Sequence, residues 1–324
     1  MLLAAALLFF FFRGVDWAAL KAAFRTAHRG YLAGVVATIV LTYVIRSWRW
    51  GRLLRPLAKV PFVDLFSATV VGFTSGMVIP RAGEVLRPYL IARRHPVSTS
   101  AGFASIILER LIDVVTVLLL FFSYLYVLPT PAAQITGGVM GYVKLGGALA
   151  GLLAVVVLGL LVALHRHAEA VLSLVGRLVA WIPARFREPL LAALRAFAGG
   201  LAVLHASPGF LFLILGESLL LWLSIALGIY WTNCAFGLDL PFHSAFLIIT
   251  FLVVGVAVPT PGSVGGFHEF YLLALTQAFG VDKGVAAAAG IACHALSNLP
   301  VLLLGLAFLG REGLSLGKVA EMSE

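Results

Sequence analysis

Residues 62–91 read FVDLFSATVVGFTSGMVIPRAGEVLRPYLI, an apolar stretch interrupted near its middle by Ile79-Pro80-Arg81-Ala82-Gly83-Glu84. Proline has no amide to donate within a helix and glycine loosens the backbone, so a single continuous helix is not expected here. Both flanks are basic, with five Lys or Arg between residues 46 and 61 and four between 81 and 97. Cytoplasmic connections of membrane proteins carry such an excess, which places both ends on one side. The segment is therefore predicted to dip into the bilayer from the cytoplasm and return.

A second apolar segment, residues 242–279, is broken by Pro259-Thr260-Pro261-Gly262-Ser263-Val264-Gly265-Gly266. It follows a connection, 232–241, without any Lys or Arg, as does the run after 129–138. Both bare connections are assigned outside. For the last helix to end inside at Arg311, the second broken segment must enter and leave on the outer face. Two broken hairpins inserted from opposite sides are what an inverted repeat produces, and in transporters such discontinuous helices meet near the midplane at the substrate site.

Composition fixes the solvent. Hydrophobic residues make up 61% of the 324 and charged ones 11%, against roughly 25% charged in a soluble domain. The runs Val114–Leu128, Val139–Leu164, Phe210–Trp231 and Val285–Gly310 approach or exceed the roughly 20 residues that cross hydrocarbon as helix. No ten-residue alternation marks a barrel. The expected fold is all-α and polytopic, one membrane domain over residues 1–324 with its C-terminus in the cytoplasm of a cell membrane. Ala168 to His205, within the basic stretch 165–209, is expected to lie on the surface as an amphipathic segment. The first twelve residues are short for a span and read as part of a first helix, and Arg13, Lys21, Arg25 and Arg29 sit against the charge rule. A net charge of +9, dispersed between apolar runs, suits anionic lipid and not nucleic acid. Cys234 and Cys293 lack metal or redox spacing and are read as packing residues.

A charge at the bilayer centre costs about 2.5–3.5 kcal/mol on insertion scales, so Arg81, Glu84, Arg87, Glu109, Arg110, Asp113, Glu217 and Glu269 each need a reason. Glu84 and Arg87 share a helix face, and Glu109 and Asp113, four apart, can meet one basic partner. For Glu109, Arg110 and Asp113 two readings stand: salt bridges that lock hairpins together, or part of a headgroup site. Arg81 lies where a half-helix begins, a natural place for an anion. Arg46, Arg49, Arg52 and Arg55 recur every three residues beside Trp48 and Trp50. Arg52 and Arg55 suit headgroup anchoring, whereas Arg46 and Arg49 lie deeper and can contribute guanidinium forks to a phosphate pocket. His268 and His294 are read first as hydrogen-bonded packing residues, with a proton relay as the alternative. No metal ligands, cofactor or catalytic residues are expected.

These residues resemble the lysylphosphatidylglycerol synthase transmembrane family, the flippase-like module of MprF-type proteins. Arg46-Ser47-Trp48-Arg49-Trp50 looks like its R-x-x-R-W element. Pro80-Arg81-Ala82-Gly83-Glu84 with Arg87 looks like P-x-x-G-E-x-x-R, and Glu109-Arg110 with Asp113 like E-R-x-x-D. Pro259, Pro261, Gly262, Gly265 and Glu269 are similar to the second Pro-Gly hairpin. Many members carry Asn shortly before the first Pro, where this chain has Ser75-Gly76-Met77. The resemblance implies translocation of a lipid between leaflets. Its site would use Arg46, Arg49, Arg81, Glu84, Arg87, Glu109, Arg110, Asp113 and Glu269 toward an anionic or phosphate-bearing headgroup. A homo-oligomer and a separate lipid-modifying enzyme fit as partners. The competing readings are a membrane transferase acting on a lipid-linked phosphate and a non-transporting lipid-binding scaffold.

Overall fold

The computed structural model describes residues 17–80, 82–128, 139–188, 191 and 208–312. The N-terminal apolar run, Arg81 and most of 189–207 lie outside these residues, so the expectations placed on them go unaddressed. Within them the chain is helical: α1 (Trp17–Thr26), α2 (Arg29–Leu54), α3 (Phe62–Val78), α4 (Ala82–Ala92), α5 (Thr99–Tyr126), α6 (Val139–Arg166), α7 (Ala168–Leu178), α8 (Pro208–Ala235), α9 (Ser244–Ala257), α10 (Gly266–Leu273) and α11 (Lys283–Glu312). Among the described residues, Arg29–Leu54, Gly209–Ala235 and Lys283–Arg311 are long and apolar enough to cross a membrane. Helix α5 matches them in length, at 28 residues, but carries Glu109, Arg110 and Asp113 in its interior.

Both expected breaks are present. Helix α3 stops at Val78, Ile79 turns extended (φ −118°, ψ 111°), and α4 resumes at Ala82. Helix α9 stops at Ala257, Val258 turns extended, and a short 3₁₀ turn, Pro261–Ser263, precedes α10. Gly262 and Gly265 take positive φ, 58° and 89°, as does the non-glycine Ser263 at 57°. Left-handed backbone at a serine costs energy and persists where the surroundings enforce it. With 11 residues in α4 and 8 in α10, these helices reach only about 16 and 12 Å at 1.5 Å per residue. Neither can cross some 30 Å of hydrocarbon alone.

Each broken pair folds back through one glycine contact. A Cβ at Gly83 would lie 2.3 Å from the Gly72 carbonyl oxygen, and one at Gly266 would lie 2.3 Å from that of Gly255. Small residues let helix backbones approach this closely, a main source of cohesion between helices in lipid. The remaining apolar surface packs into two main groups. Trp50, Leu54, Leu65, Val71, Leu86 and Leu90 pack about the first hairpin, while Leu120, Tyr124, Ile248, Tyr271, Leu275 and Ala286, Ala287 and Ala289 of α11 pack about the second. A smaller, separate cluster gathers Val35, Ile39 and Val301, with Phe73, Met77 and Trp231 packed against it. The second break also approaches the first. Gly262 lies near the Met77 carbonyl, and His294 Nε2 donates to the Gly262 carbonyl at 2.8 Å. His268 accepts from the Gly265 amide at 3.3 Å and stands 4.4 Å, centroid to centroid, from His294. The two histidines thus brace the turn.

Candidate functional site: a buried arginine and carboxylate cluster

Helix α2 approaches its C-terminal end with Arg46 and Arg49 turned inward, where they are 7% and 0% exposed. Three residues apart, they fall on one face of the helix. Helix α5 presents Glu109 and Asp113 one turn apart toward the same place, 0% and 4% exposed. Arg49 Nη1 donates to Asp113 Oδ1 at 2.6 Å and to the Ser218 hydroxyl. Arg46 Nη1 lies 3.5 Å from Glu109 and 3.7 Å from Asp113. From α4, Arg87 forms a bidentate fork with Glu109, both bonds 3.2 Å. Arg110, next to Glu109 in the chain, donates to it and stands 3.4 Å from Asp113. The expectation that Glu109 and Asp113 share basic partners holds for Arg46, Arg49 and Arg110.

Aromatic rings close the cluster. The Arg87 guanidinium sits 4.3 Å above the Trp50 ring and 5.7 Å from Phe73, and Arg46 lies 4.9 Å from Phe73. Trp50 itself is fixed by donating to Ser105 at 2.9 Å. Ring faces attract cations most strongly where water is excluded. From α8, Trp222 Nε1 donates to Asp113 at 3.1 Å, and Ser218 donates to the same oxygen at 3.3 Å. Glu217, beside Ser218, holds Arg52 at 2.5 Å.

Charge does not balance in this contact set. Among the described residues Arg46, Arg49, Arg87 and Arg110 form ion pairs only with Glu109 and Asp113, four cations to two carboxylates, with the Arg110 side chain 39% exposed. Glu84 lies close enough for its field to act on Arg110. Several buried guanidinium nitrogens have no hydrogen-bond partner among the described residues: Nε and Nη1 of Arg46, Nε and Nη2 of Arg49, and Nε of Arg87 and Arg110. Buried N–H groups of native proteins are normally paired. One acceptor, Asp113 Oδ2, is unpaired as well, and the donors that outnumber it suit an anion with several oxygen acceptors.

The family-model comparison matches residues 1–305 to the lysylphosphatidylglycerol synthase transmembrane region. The chain belongs to that family. The chain is 25% identical over 90% of its length to "Glycosyltransferase AglD" of Haloferax volcanii, and spans about half, 50%, of that relative. It is also 25% identical to a "UPF0104 membrane protein" of Methanothermobacter thermautotrophicus, over 84% of this chain and 83% of the other.

In this family member the motif residues Arg46, Arg49, Arg87, Glu109, Arg110 and Asp113 converge. Arg81 lies outside the described residues. Glu269, on α10 beyond the second break, makes no ion pair with the cluster among the described residues and has Lys283 in its field. Pro80, Gly83, Pro259, Pro261, Gly262 and Gly265 all fall at or beside the two breaks. Sequence reasoning missed Phe73, Ser218 and Trp222 as members of the site, and took Trp50 only as a residue of the R-x-x-R-W resemblance. Their signal was weak, because aromatic and hydroxyl residues inside apolar helices are ordinary until folding brings them to a carboxylate.

Proposed function

We propose that this membrane protein moves a phosphate-bearing lipid between bilayer leaflets, with the lipid headgroup received by the buried arginines. The observation that carries the proposal is the cationic excess: four guanidiniums contact two carboxylates, and six of their buried nitrogens lack a hydrogen-bond partner among the described residues. Guanidinium forks match phosphate oxygens in pairs. In this reading Glu109 and Asp113 hold the guanidiniums in place, and the headgroup supplies the missing acceptors.

An inverted repeat would give such a site a way to change sides. A shift of 183 residues carries Gly72 onto Gly255 and Gly83 onto Gly266, the two glycine contacts of the hairpins. The same shift lays α2 over α8, α3 over α9, α4 over α10 and α5 over α11. Helices α2 and α8 lie side by side and antiparallel: Thr42 bonds Ser224 at 2.7 Å, a Cβ at Gly228 would meet Thr38, and Arg49 bonds Ser218. Equivalent helices that run antiparallel support two repeats of inverted topology, with the broken hairpins entering from opposite faces. Rocking one repeat against the other would then expose the cluster alternately to each side. The distribution of Lys and Arg supports a cytoplasmic C-terminus in a cell membrane.

The test is headgroup movement in sealed vesicles that carry fluorescent phosphatidylglycerol and the purified protein, with a membrane-impermeant quencher outside. Wild type is expected to bring inner-leaflet label within reach of the quencher. Arg46→Gln removes a cation with only long ion pairs, so the fold should survive. Loss of a charged hydrogen bond worth about 1.5–3 kcal/mol slows transfer by about 10- to 100-fold. No movement of labelled lipid by folded wild type, or equal rates in the variant, would overturn the proposal. The relative named as a glycosyltransferase favours a second reading, a membrane transferase acting on a lipid-linked phosphate. Product formed from a sugar nucleotide and a polyprenyl phosphate by the purified chain would select it.

A further inference from the structure

A groove distinct from the buried cluster opens where the end of α2 meets the start of α3. Its volume is about 640 Å³, and its walls include Val44, Trp48, Arg52, Arg55, Lys59 and Phe62. We propose that it docks one anionic membrane lipid, with the headgroup at Arg55 and Lys59 and an acyl chain along Val44, Trp48 and Phe62. This extends the proposed transport by naming where lipid is first held, but the binding it predicts stands without transport.

The spacing carries the first part of the argument. Val44, Trp48, Arg52 and Arg55 recur at three or four residues, one stripe along α2 that passes from apolar to cationic. Eleven residues of helix cover about 16 Å, roughly half of a 30 Å hydrocarbon core, which is the depth of one leaflet. Gly51 forms the floor, where a Cβ would lie 2.5 Å from the Leu65 side chain. A small soluble anion would gain nothing from this apolar wall. An amphiphile uses both ends.

Charge carries the second part. Arg52 is held by Glu217 and leans toward the Trp48 ring at 5.8 Å. Arg55 and Lys59 have no ion pair among the described residues. The acidic residue of α3 nearest in the chain, Asp64, is already engaged by Arg311 at 2.8 Å, His95 at 3.1 Å and Arg94 at 3.6 Å. Trp48 and Phe62, 57% and 43% exposed, stand ready to be covered.

The experiment places wild type, Trp48→Phe and the double variant Arg55→Gln/Lys59→Gln in phosphatidylcholine nanodiscs containing either phosphatidylglycerol or phosphatidylcholine with brominated acyl chains. Bromine quenches tryptophan on contact, and subtracting the Trp48→Phe signal isolates Trp48. Brominated phosphatidylglycerol is expected to quench Trp48 at far lower mole fraction than brominated phosphatidylcholine. The double variant should lose about 30-fold of that preference, the worth of two basic residues at a membrane surface. Arg46→Gln, which alters only the cluster, should keep it whether or not transport is lost. Equal quenching by the two lipids, an unchanged preference in the double variant, or displacement by inorganic phosphate would overturn the proposal.

Discussion

Replacing Glu109 by Ala is expected to lower stability by about 3–5 kcal/mol, because it strands buried cations that share one partner. Glu109 receives the Arg87 fork at 3.2 Å, lies 3.5 Å from Arg46 and 3.7 Å from Arg49, and accepts from Arg110. Without it Arg46, Arg49 and Arg110 face Asp113 alone, and Arg87 keeps only the ring faces of Trp50 and Phe73. The loss reads directly as a fall in the thermal midpoint in detergent. Glu109→Gln keeps the shape and an acceptor oxygen while removing the charge, and should fall between the two. Added anionic lipid should restore part of the midpoint in both variants, since a bound anion offsets the same excess. A change below about 1 kcal/mol for Glu109→Ala would mean that the cluster is wet and screened.

The second large effect belongs to the glycines. Gly266→Ala would put a Cβ 2.3 Å from the Gly255 carbonyl oxygen, and Gly83→Ala one 2.3 Å from that of Gly72. The obstacle is backbone in both hairpins, so no rotamer change relieves it. Overpacking of this kind costs about 1–3 kcal/mol, and the two variants should lose similar amounts. Gly76→Ala is the control. Its Cβ would find nothing closer than 4.0 Å, so the better helix propensity of Ala should leave it neutral or stabilised by up to about 1 kcal/mol. Equal midpoints for all three variants would show that the hairpins are not clasped through these contacts.

Much of this architecture was legible because membranes penalise irregularity. Pro80 and Pro259 within apolar runs could not continue a helix, and the structure breaks at both. Arg87, Glu109, Arg110 and Asp113 called for partners because a lone charge is costly in hydrocarbon, Arg46 and Arg49 read as the deeper guanidiniums of their helix, and the six meet in one cluster. The eleven-residue glycine spacing was present in both broken segments, yet glycine is common in membrane helices and its meaning depends on what lies opposite. Trp222 and Ser218 stayed hidden because α8 reaches the cluster only through tertiary packing, 105 or more residues from Asp113. The placement of Glu269 with the arginines followed from its motif position, and among the described residues no ion pair joins it to them, while Lys283 lies within its field. Headgroup anchoring by Arg52 and Arg55 was legible from their place beside Trp48, but the groove itself was not, since it forms where α2 and α3 meet.

The central claim is that the unpaired arginine nitrogens receive a lipid phosphate. A high-resolution structure of the protein in nanodiscs of native lipid tests it most directly. A phosphate within about 3 Å of the free nitrogens of Arg46 and Arg49, lost in Arg46→Gln, is the predicted result. A cluster in which those nitrogens are satisfied by water or by the protein's own carboxylates, with every lipid phosphate at the bilayer surface, would contradict it.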